Sequence, residues 1–297
     1  MNMSDLNKTK GCFLALGTFD GLHLGHKKVM TAGENKKRYA LLFSQHPQTA
    51  LTGKAPTALI TKRLEKKLLE KWGVTPIYID FRDVMSQSPE EFFENIIKNI
   101  APSEISVGFN YRFGKNAEGD VNKLLKLSKE NGIKLFVADA VNFEGEAISS
   151  TRIRKSITLG EIEKANAMLG RDFCYDFTVV HGDKRGRTMG SPTINQFFDD
   201  GFTVPAYGVY ASFCEVNGKV YPAVTNIGIR PTVGSSKERS ETHILNFSGD
   251  LYGENIMVMP KVRMRGEMKF SDISELSDRI DADKKTAETL LEELYSE

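Results

Sequence analysis

The sequence predicts two domains of different class, an α/β domain on a parallel sheet and then an antiparallel β domain with terminal helices. Two observations predict this. In the first half, short apolar runs alternate with helical patterns; in the second, β-rich runs are separated by Gly, Pro, Asn and Asp. Strand–helix alternation implies parallel strands covered on both faces, whose ligands sit at the carboxyl ends.

In chain order, Phe13–Leu16, Tyr39–Phe43, Ile77–Ile79, Ile105–Val107 and Leu135–Ala138 read as buried strands. Lys62–Trp72 reads as a helix, with Leu64, Leu68, Leu69 and Trp72 on one face and Gly73 as its stop. Pro89–Ile100 reads as a second helix: Ser88 and Glu91 form a capping box and Pro89 holds the first helical position. After Leu169-Gly170 the pattern changes. Phe177–Val180, Gly208–Val216, Val220–Val224, Thr242–Phe247 and Ile256–Val262 read as strands of an antiparallel barrel or sandwich. Asn217-Gly218 is a tight hairpin signal. Asp272–Glu297 returns to helical periodicity. The boundary falls in a short connection within 169–176, giving domains 1–171 and 172–297.

Composition bounds the function. The chain has 297 residues, 40% hydrophobic and 27% charged, with 40 basic against 39 acidic side chains. Near-neutrality argues against a protein that coats nucleic acid. Residues 1–170 hold 25 basic and 19 acidic groups and the remainder 15 and 20, a split that reads as solvated helices on one side of the domain boundary. No apolar run approaches the ~18 residues of a membrane span. The apolar run before Asp20 reads as a strand, not a signal peptide. Cys12, Cys174 and Cys214 have no CxxC spacing; a reducing cytoplasm is the expectation.

The first strand runs directly into Gly17-Thr18-Phe19-Asp20-Gly21-Leu22-His23-Leu24-Gly25-His26. Glycines let the backbone approach a ligand, and a helix N-terminus offers free N–H groups to an anion. Histidines three apart share a helix face and can stabilise charge in phosphoryl or nucleotidyl transfer. One histidine there is ordinarily a packed or capping side chain; two among glycines at a strand–helix junction are not. Zinc is the other reading, with His46 after the second strand as a further ligand. A second cluster, Ile148-Ser149-Ser150-Thr151-Arg152-Ile153-Arg154, places hydroxyls before a helix and two arginines inside its first turn. Hydroxyls there are ordinary caps. Arginines there oppose the helix dipole, a conflict that an anionic ligand removes. Val107-Gly108-Phe109-Asn110-Tyr111-Arg112-Phe113-Gly114 follows a strand and reads as a pocket wall.

These segments together resemble the FMN adenylyltransferase module of bacterial riboflavin kinase/FAD synthetases, in order and spacing over most of residues 11–160. The resemblance implies a Rossmann-like HxGH nucleotidyltransferase domain. It implies that His23 and His26 hold ATP phosphates, and that Gly17, Phe19, Asp20, Gly25, Ser150, Thr151 and Arg154 bind nucleotide. Asn110 and Arg112 match flavin positions. Ser44-Gln45-His46-Pro47 keeps the HP pair but departs from the family's usual EPHP.

In the second half, the stretch from Gly182 to Asn195 is rich in glycine and polar groups, and no P-loop occurs anywhere. It reads either as an exposed hairpin loop or as a phosphate and Mg²⁺ site with Thr193 and Asn195 as oxygen ligands. Asn226–Thr232 reads as a second loop. Glu241 reads as the start of a strand, where it is either a solvated edge carboxylate or the base for an alcohol nucleophile. GDKRGRTMGSPTIN, GVYA, TNIGIRPT, ETHILNF, DLYG and RMRGEMKF resemble, in order, the riboflavin kinase module. That resemblance implies a six-stranded Greek-key β-barrel. Gly182, Lys184, Gly186 and Arg187 then bind ATP, Thr193 and Asn195 act in Mg-ATP binding, Glu241 activates the ribityl 5′-hydroxyl, and Arg265 and Glu267 contact flavin. Ser191 stands where an aromatic is usual, and Asn246 where Asp is usual.

The implied activity is two-step: ATP phosphorylates riboflavin to FMN, and a second ATP adenylylates FMN to FAD with release of pyrophosphate. Mg²⁺ is the implied cofactor; ATP, riboflavin and FMN are the implied small-molecule partners, with no nucleic acid and no membrane. The rivals are adenylyl transfer to another acceptor, such as a phosphopantetheine or nicotinamide precursor, and a flavin-binding regulator or carrier with inactive sites.

Overall fold

The computed structural model of the chain describes residues 10–34, 37–181, 193–232 and 235–296. The chain divides into two compact units, Met1–Pro56 with Lys62–Ser150, and Thr57–Thr61 with Thr151–Glu297. Compactness thus draws its line at 150/151 rather than 171/172, and moves one short segment, Thr57–Thr61, to the second unit.

The first unit contains β1 (Phe13–Leu16), α1 (Leu24–Met30), β2 (Arg38–Phe43), α2 (Pro47–Thr52), α3 (Lys62–Lys71), β3 (Val74–Ile79), α4 (Pro89–Ile100), β4 (Glu104–Gly108), α5 (Val121–Glu130), β5 (Lys134–Ala138) and a small hairpin of β6 (Asn142–Phe143) and β7 (Glu146–Ala147). Its five large strands form one sheet in the order β3-β2-β1-β4-β5, and every pair is parallel. All four residues of β1 are buried, so the sheet is covered on both faces, as the apolar runs predict. The core gathers Leu14, Leu16, Leu41, Ile77, Phe93, Ile96, Ile105 and Val107. Strand order reverses beside β1, whose neighbours are β2 and β4. The crevice at the carboxyl ends of β1 and β4 is therefore the topological switch point, where ligands of such sheets bind.

The local signal holds at the N-terminus of α4. Ser88 Oγ accepts from Glu91 N–H at 3.1 Å, and Glu91 Oε2 accepts from Ser88 N–H at 2.7 Å. One detail runs against the pattern: Glu65, on α3, is buried, where it accepts from Tyr78 Oη at 3.1 Å and Lys62 Nζ at 3.2 Å. Burial, with Glu65 close by, pushes the Tyr78 hydroxyl up to about 12.

The second unit contains α6 (Ser150–Leu159, apart from its first residue), α7 (Ile162–Leu169), β8 (Ile194–Phe197), β9 (Gly208–Val216), β10 (Lys219–Thr232), β11 (Ser235–Ile244), β12 (Met257–Arg265) and α8 (Ile273–Ser296). The strands form an antiparallel sheet in the order β12-β9-β10-β11-β8. The hairpin joining β9 to β10 has Asn217 at φ 51° and Gly218 at φ 76°, as two-residue primed turns require. Phe173, Tyr175, Phe177, Phe198 and Phe202 form an aromatic cluster, with ring centroids 4.9 Å apart for Tyr175 and Phe198. Along α8, Ala287 and Leu291 pack on Ala211 and Phe213.

Three expectations are corrected. Residues 226–232 are not a loop: they continue β10 and pair with β11 as far as Thr232. Gly228 and Pro231 read as breakers, but each has another reason to be there. A Cβ on Gly228 would collide with the Glu267 carboxylate. Beyond Ile227, β10 has left β9 and pairs on one side only, where a proline is tolerated. Glu241 consequently lies well inside β11, not at its start. Residues 177–180 form no ladder strand; Tyr175, Thr178 and Val180 make isolated bridges to Val258, Asn255 and Asn195.

Candidate active sites

The first site is built on the turn between β1 and α1, at the switch point. Phe19 (φ 51°) and Leu22 (φ 48°) hold left-handed conformations, which cost ~1–3 kcal/mol each in a non-glycine residue and concentrate at functional sites. Both are buried. Gly17 accommodates the Phe19 ring, whose edge would lie 3.0 Å from a Cβ at that position. His23 caps α1: its Nδ1 accepts from the N–H groups of Gly25 at 3.1 Å and His26 at 3.4 Å. A Cβ on Gly25 would press the His23 ring at 3.1–3.2 Å, so the glycine of the motif serves the histidine before it.

The two imidazoles stack, with centroids 3.6 Å apart and planes at 21°, and Phe19 meets His26 edge-on at 5.5 Å. His26 Nδ1 is buried with no hydrogen-bond partner among the described residues. Burial, reinforced by the neighbouring His23, holds the His26 imidazole well below the usual histidine range. A neutral ring with an unmet polar atom at a switch point is suited to an incoming ligand.

Two other predicted residues, His46 and Ser150, meet this turn. His46 caps α2, accepting from Gln48 N–H at 3.2 Å, and its Nε2 lies 4.0 Å from the Asp20 carboxylate. Ser150 Oγ donates to the Asp20 carbonyl at 2.8 Å; the hydroxyl expected to cap α6 thus ties α6's first residue to the β1–α1 turn. Asn110 and Arg112 follow β4 and are exposed, and the Asn110 Oδ1 atom lies over Gly108. Tyr111 and Phe113 stack at 5.6 Å, and burial pushes the Tyr111 hydroxyl well up. Thr151 and Arg154 lie on α6 in the second unit, where Arg154 Nε donates to the Thr57 carbonyl at 2.5 Å. Among the described residues no group of three or more His, Cys, Asp and Glu is arranged to hold a metal.

The second site lies on one face of the antiparallel sheet. Glu241 on β11 sits directly between Asn195 on β8 and Asn226 on β10. Directly opposite pairs share a face. Asn195 is buried, and its Oδ1 has no partner among the described residues. Thr193 stands two residues earlier. Arg239, two residues before Glu241 and on the same face, reaches its carboxylate at 2.5 Å. Arg239 was not singled out in the sequence, although the period of two would have found it once β11 was placed. The Glu267 carboxylate lies over Gly228. Arg265 is held by Asp283 of α8, with Nε and Nη2 at 3.1 and 2.6 Å, and Nη1 donates to the Gly266 carbonyl. Gly182, Lys184, Gly186, Arg187 and Ser191 lie outside the described residues.

Comparison with known proteins bears on both sites. The family models described as FAD synthetase and riboflavin kinase match residues 5–152 and 169–291. The bifunctional riboflavin kinase/FMN adenylyltransferase of Bacillus subtilis (strain 168) is 35% identical over 288 residues, covering 92% of this chain and 90% of the relative. The chain belongs to this family. The bifunctional riboflavin kinase/FMN adenylyltransferase of Escherichia coli (strain K12) is 34% identical over 291 residues, covering 94% of this chain and 92% of the relative. A bifunctional riboflavin kinase/FMN adenylyltransferase is a transferase twice over, with a kinase and a nucleotidyltransferase in one chain. A solved structure described as a macrolide-efflux protein from Streptococcus pneumoniae is also similar, with TM-score 0.88, 30% identity and 97% of each chain covered. Among the described residues of this chain, no helix is long and apolar enough to cross a membrane.

Proposed function

We infer that this chain phosphorylates riboflavin to FMN with ATP and then adenylylates FMN to FAD with release of pyrophosphate. One observation carries the reading: likeness to the bifunctional family runs through both units, over 92% of the chain. The division of labour follows the sequence motifs. The FAD synthetase domain is 1–171, a Rossmann-like HxGH nucleotidyltransferase. The riboflavin kinase domain is 172–297, a six-stranded Greek-key barrel. Residues 175–180 support the barrel, because they bridge to Val258 in β12 and, beyond it, to Asn195 in β8, the two edges of the sheet.

In the first site the switch-point position and the unmet His26 Nδ1 support binding of ATP phosphates by His23 and His26. Gly17, Phe19, Asp20, Gly25 and Ser150 bind nucleotide in this unit; the family resemblance alone assigns Thr151 and Arg154 to nucleotide, and Asn110 and Arg112 to the flavin. In-line attack by the FMN phosphate on the α-phosphorus needs mainly positioning and charge neutralisation. In the second site Glu241 takes the proton of the ribityl hydroxyl, and Arg265 and Glu267 hold the flavin. The buried Asn195 Oδ1 and the Thr193 hydroxyl are oxygen donors, the kind that suits Mg²⁺. Thr193 and Asn195 would hold the ion, which when bound neutralises phosphate charge. Lone cysteines support a reducing cytoplasm. All three are buried, and burial pushes the Cys12 and Cys174 thiols up to about 11.

The test is chromatography of riboflavin with Mg-ATP and purified protein over time. FMN rises first and FAD follows. Riboflavin left unconverted would identify a binding protein with inactive sites; FMN without FAD would remove the second assignment.

A further inference from the structure

On the kinase face, Arg239 is a cation that the proposed mechanism does not use. Arg239 Nη2 lies 2.5 Å from Glu241 Oε1, and the two side chains are 17% and 32% exposed. The pair is formed within one strand, two residues apart, so both groups project from the same face. Across the sheet, Glu241 faces two asparagines, Asn195 and Asn226, while Arg239 faces Phe197 and Gly228. Among these opposed residues, Arg239 is the one cation. On its other flank the Glu267 carboxylate occupies the space above Gly228. A guanidinium that meets one carboxylate oxygen fixes the plane of the group and leaves the second oxygen for another partner.

We propose that Arg239 is a positioning residue for phosphoryl transfer, holding Glu241 through Oε1 so that Oε2 faces the acceptor hydroxyl; this rests on the reading of Glu241 as the base. The step it serves is balanced. Oε2 takes the hydroxyl proton while that oxygen bonds to the γ-phosphorus. The bond from the γ-phosphorus to the β,γ-bridging oxygen breaks, and its electron pair leaves with ADP.

A double-mutant cycle tests it, read as single-turnover phosphorylation at saturating riboflavin and Mg-ATP, with Mg-ATP binding measured on every variant. Arg239→Met lowers the turnover ~10–100-fold in the native background and less than ~2-fold in Glu241→Gln, the non-additivity of residues that act through one another. Michaelis constants for both substrates change little, and Arg239→Lys, which keeps the charge with a smaller donor set, recovers part of the rate. Equal losses in the two backgrounds, an effect confined to the Michaelis constants, or native turnover in Arg239→Met would each overturn the proposal. If Arg239→Met no longer binds Mg-ATP, Arg239→Lys and Arg239→Gln carry the same cycle. A Glu241→Gln variant with native turnover removes the base itself, and the proposal falls with that reading rather than by itself.

Discussion

His23 shows how one side chain can serve structure through one atom and chemistry through another. Its Nδ1 accepts two backbone N–H groups, so the neutral ring carries its proton on Nε2 and presents a donor. Substitutions can separate the two roles. Asn in place of His23 keeps an acceptor near Nδ1 but has nothing at Nε2. Stability should hold, while FAD formation from supplied FMN falls ~10²–10³-fold, the usual cost of one preorganised donor. Gln in the same place reaches toward the Nε2 position but gives up the cap, losing ~0.5–2 kcal/mol and keeping more activity. Adenylylation at the native rate in His23→Asn would exclude the donor role. His26 makes a pH prediction. Its folded-state proton affinity is depressed by burial, so between the unfolded value near 6.5 and the lower folded one the unfolded chain binds more protons. Stability is therefore complete above ~6.5 and declines as pH falls through that window. The melting temperature of the native chain relative to His26→Gln should drop from pH 7.5 to 5.5; a constant difference would place His26 in solvent. These histidines were legible in the sequence because a strand, glycines and a helix start crowd into ten residues. The unmet Nδ1 was not, because burial of a single atom leaves no periodic trace. Asn246, the departure from Asp, adopts φ 55°, a conformation in which Asn and Asp are both tolerated.

At the scale of elements, legibility followed the strength of local rules. The strand Phe13–Leu16 and the helix Pro89–Ile100 fall where the sequence places them, one as a continuous apolar run and the other between a capping box and the end of its pattern. Helices α2 and α5 passed unread: α2 is six residues with no buried side chain, so it has no apolar stripe to detect. The extension of β10 through Gly228 and Pro231 failed for a different reason, since the carboxylate above Gly228 comes from a residue 39 positions later. Helix α8 is held by such a distant contact as well. Asp283 is buried and accepts from Arg265, with Arg279 paired to it at 3.1 Å. Asp283→Ala strips a mostly buried guanidinium of its partner, and losing one member of such a pair costs ~3–5 kcal/mol. Urea denaturation should show that loss in the second unit, and the riboflavin Michaelis constant should rise if Arg265 contacts the flavin. A loss below ~1 kcal/mol would mean that the network behaves as a surface pair.

For the whole molecule, the two boundaries, 150/151 by compactness and 171/172 by motif, make different fragments, and their behaviour distinguishes what each boundary measures. A fragment of 172–297 keeps Thr193, Asn195, Glu241 and Arg239 but lacks α6, α7 and Thr57–Thr61. The buried side chains of α7, Ile162, Ala165, Met168 and Leu169, belong to the second unit, so their removal uncovers apolar surface. A fragment of 151–297 restores the helices yet still lacks Thr57–Thr61, the segment that passes to this unit from the first half of the sequence. That segment supplies the Thr57 carbonyl to Arg154, the Thr61 hydroxyl to Asp176 at 2.6 Å, the Thr57 hydroxyl to Thr203 at 2.8 Å, and two backbone bonds between Ala58 and residues Gly201 and Thr203. At ~0.5–1.5 kcal/mol net for each bond, their loss removes several kcal/mol, a large part of the ~5–15 kcal/mol that holds a domain together. The expected order of stability is therefore the full chain, then 151–297, then 172–297. A synthetic peptide spanning residues 56–62 should raise the melting temperature of 151–297 in a concentration-dependent way, because a ligand that binds only the folded state stabilises it by mass action. Activity follows the motifs instead: each fragment that folds should convert riboflavin to FMN, and neither should make FAD. FAD from either fragment would refute the assignment of adenylylation to the first domain, and equal stability of the two fragments would show that α6 and α7 contribute nothing to the kinase unit.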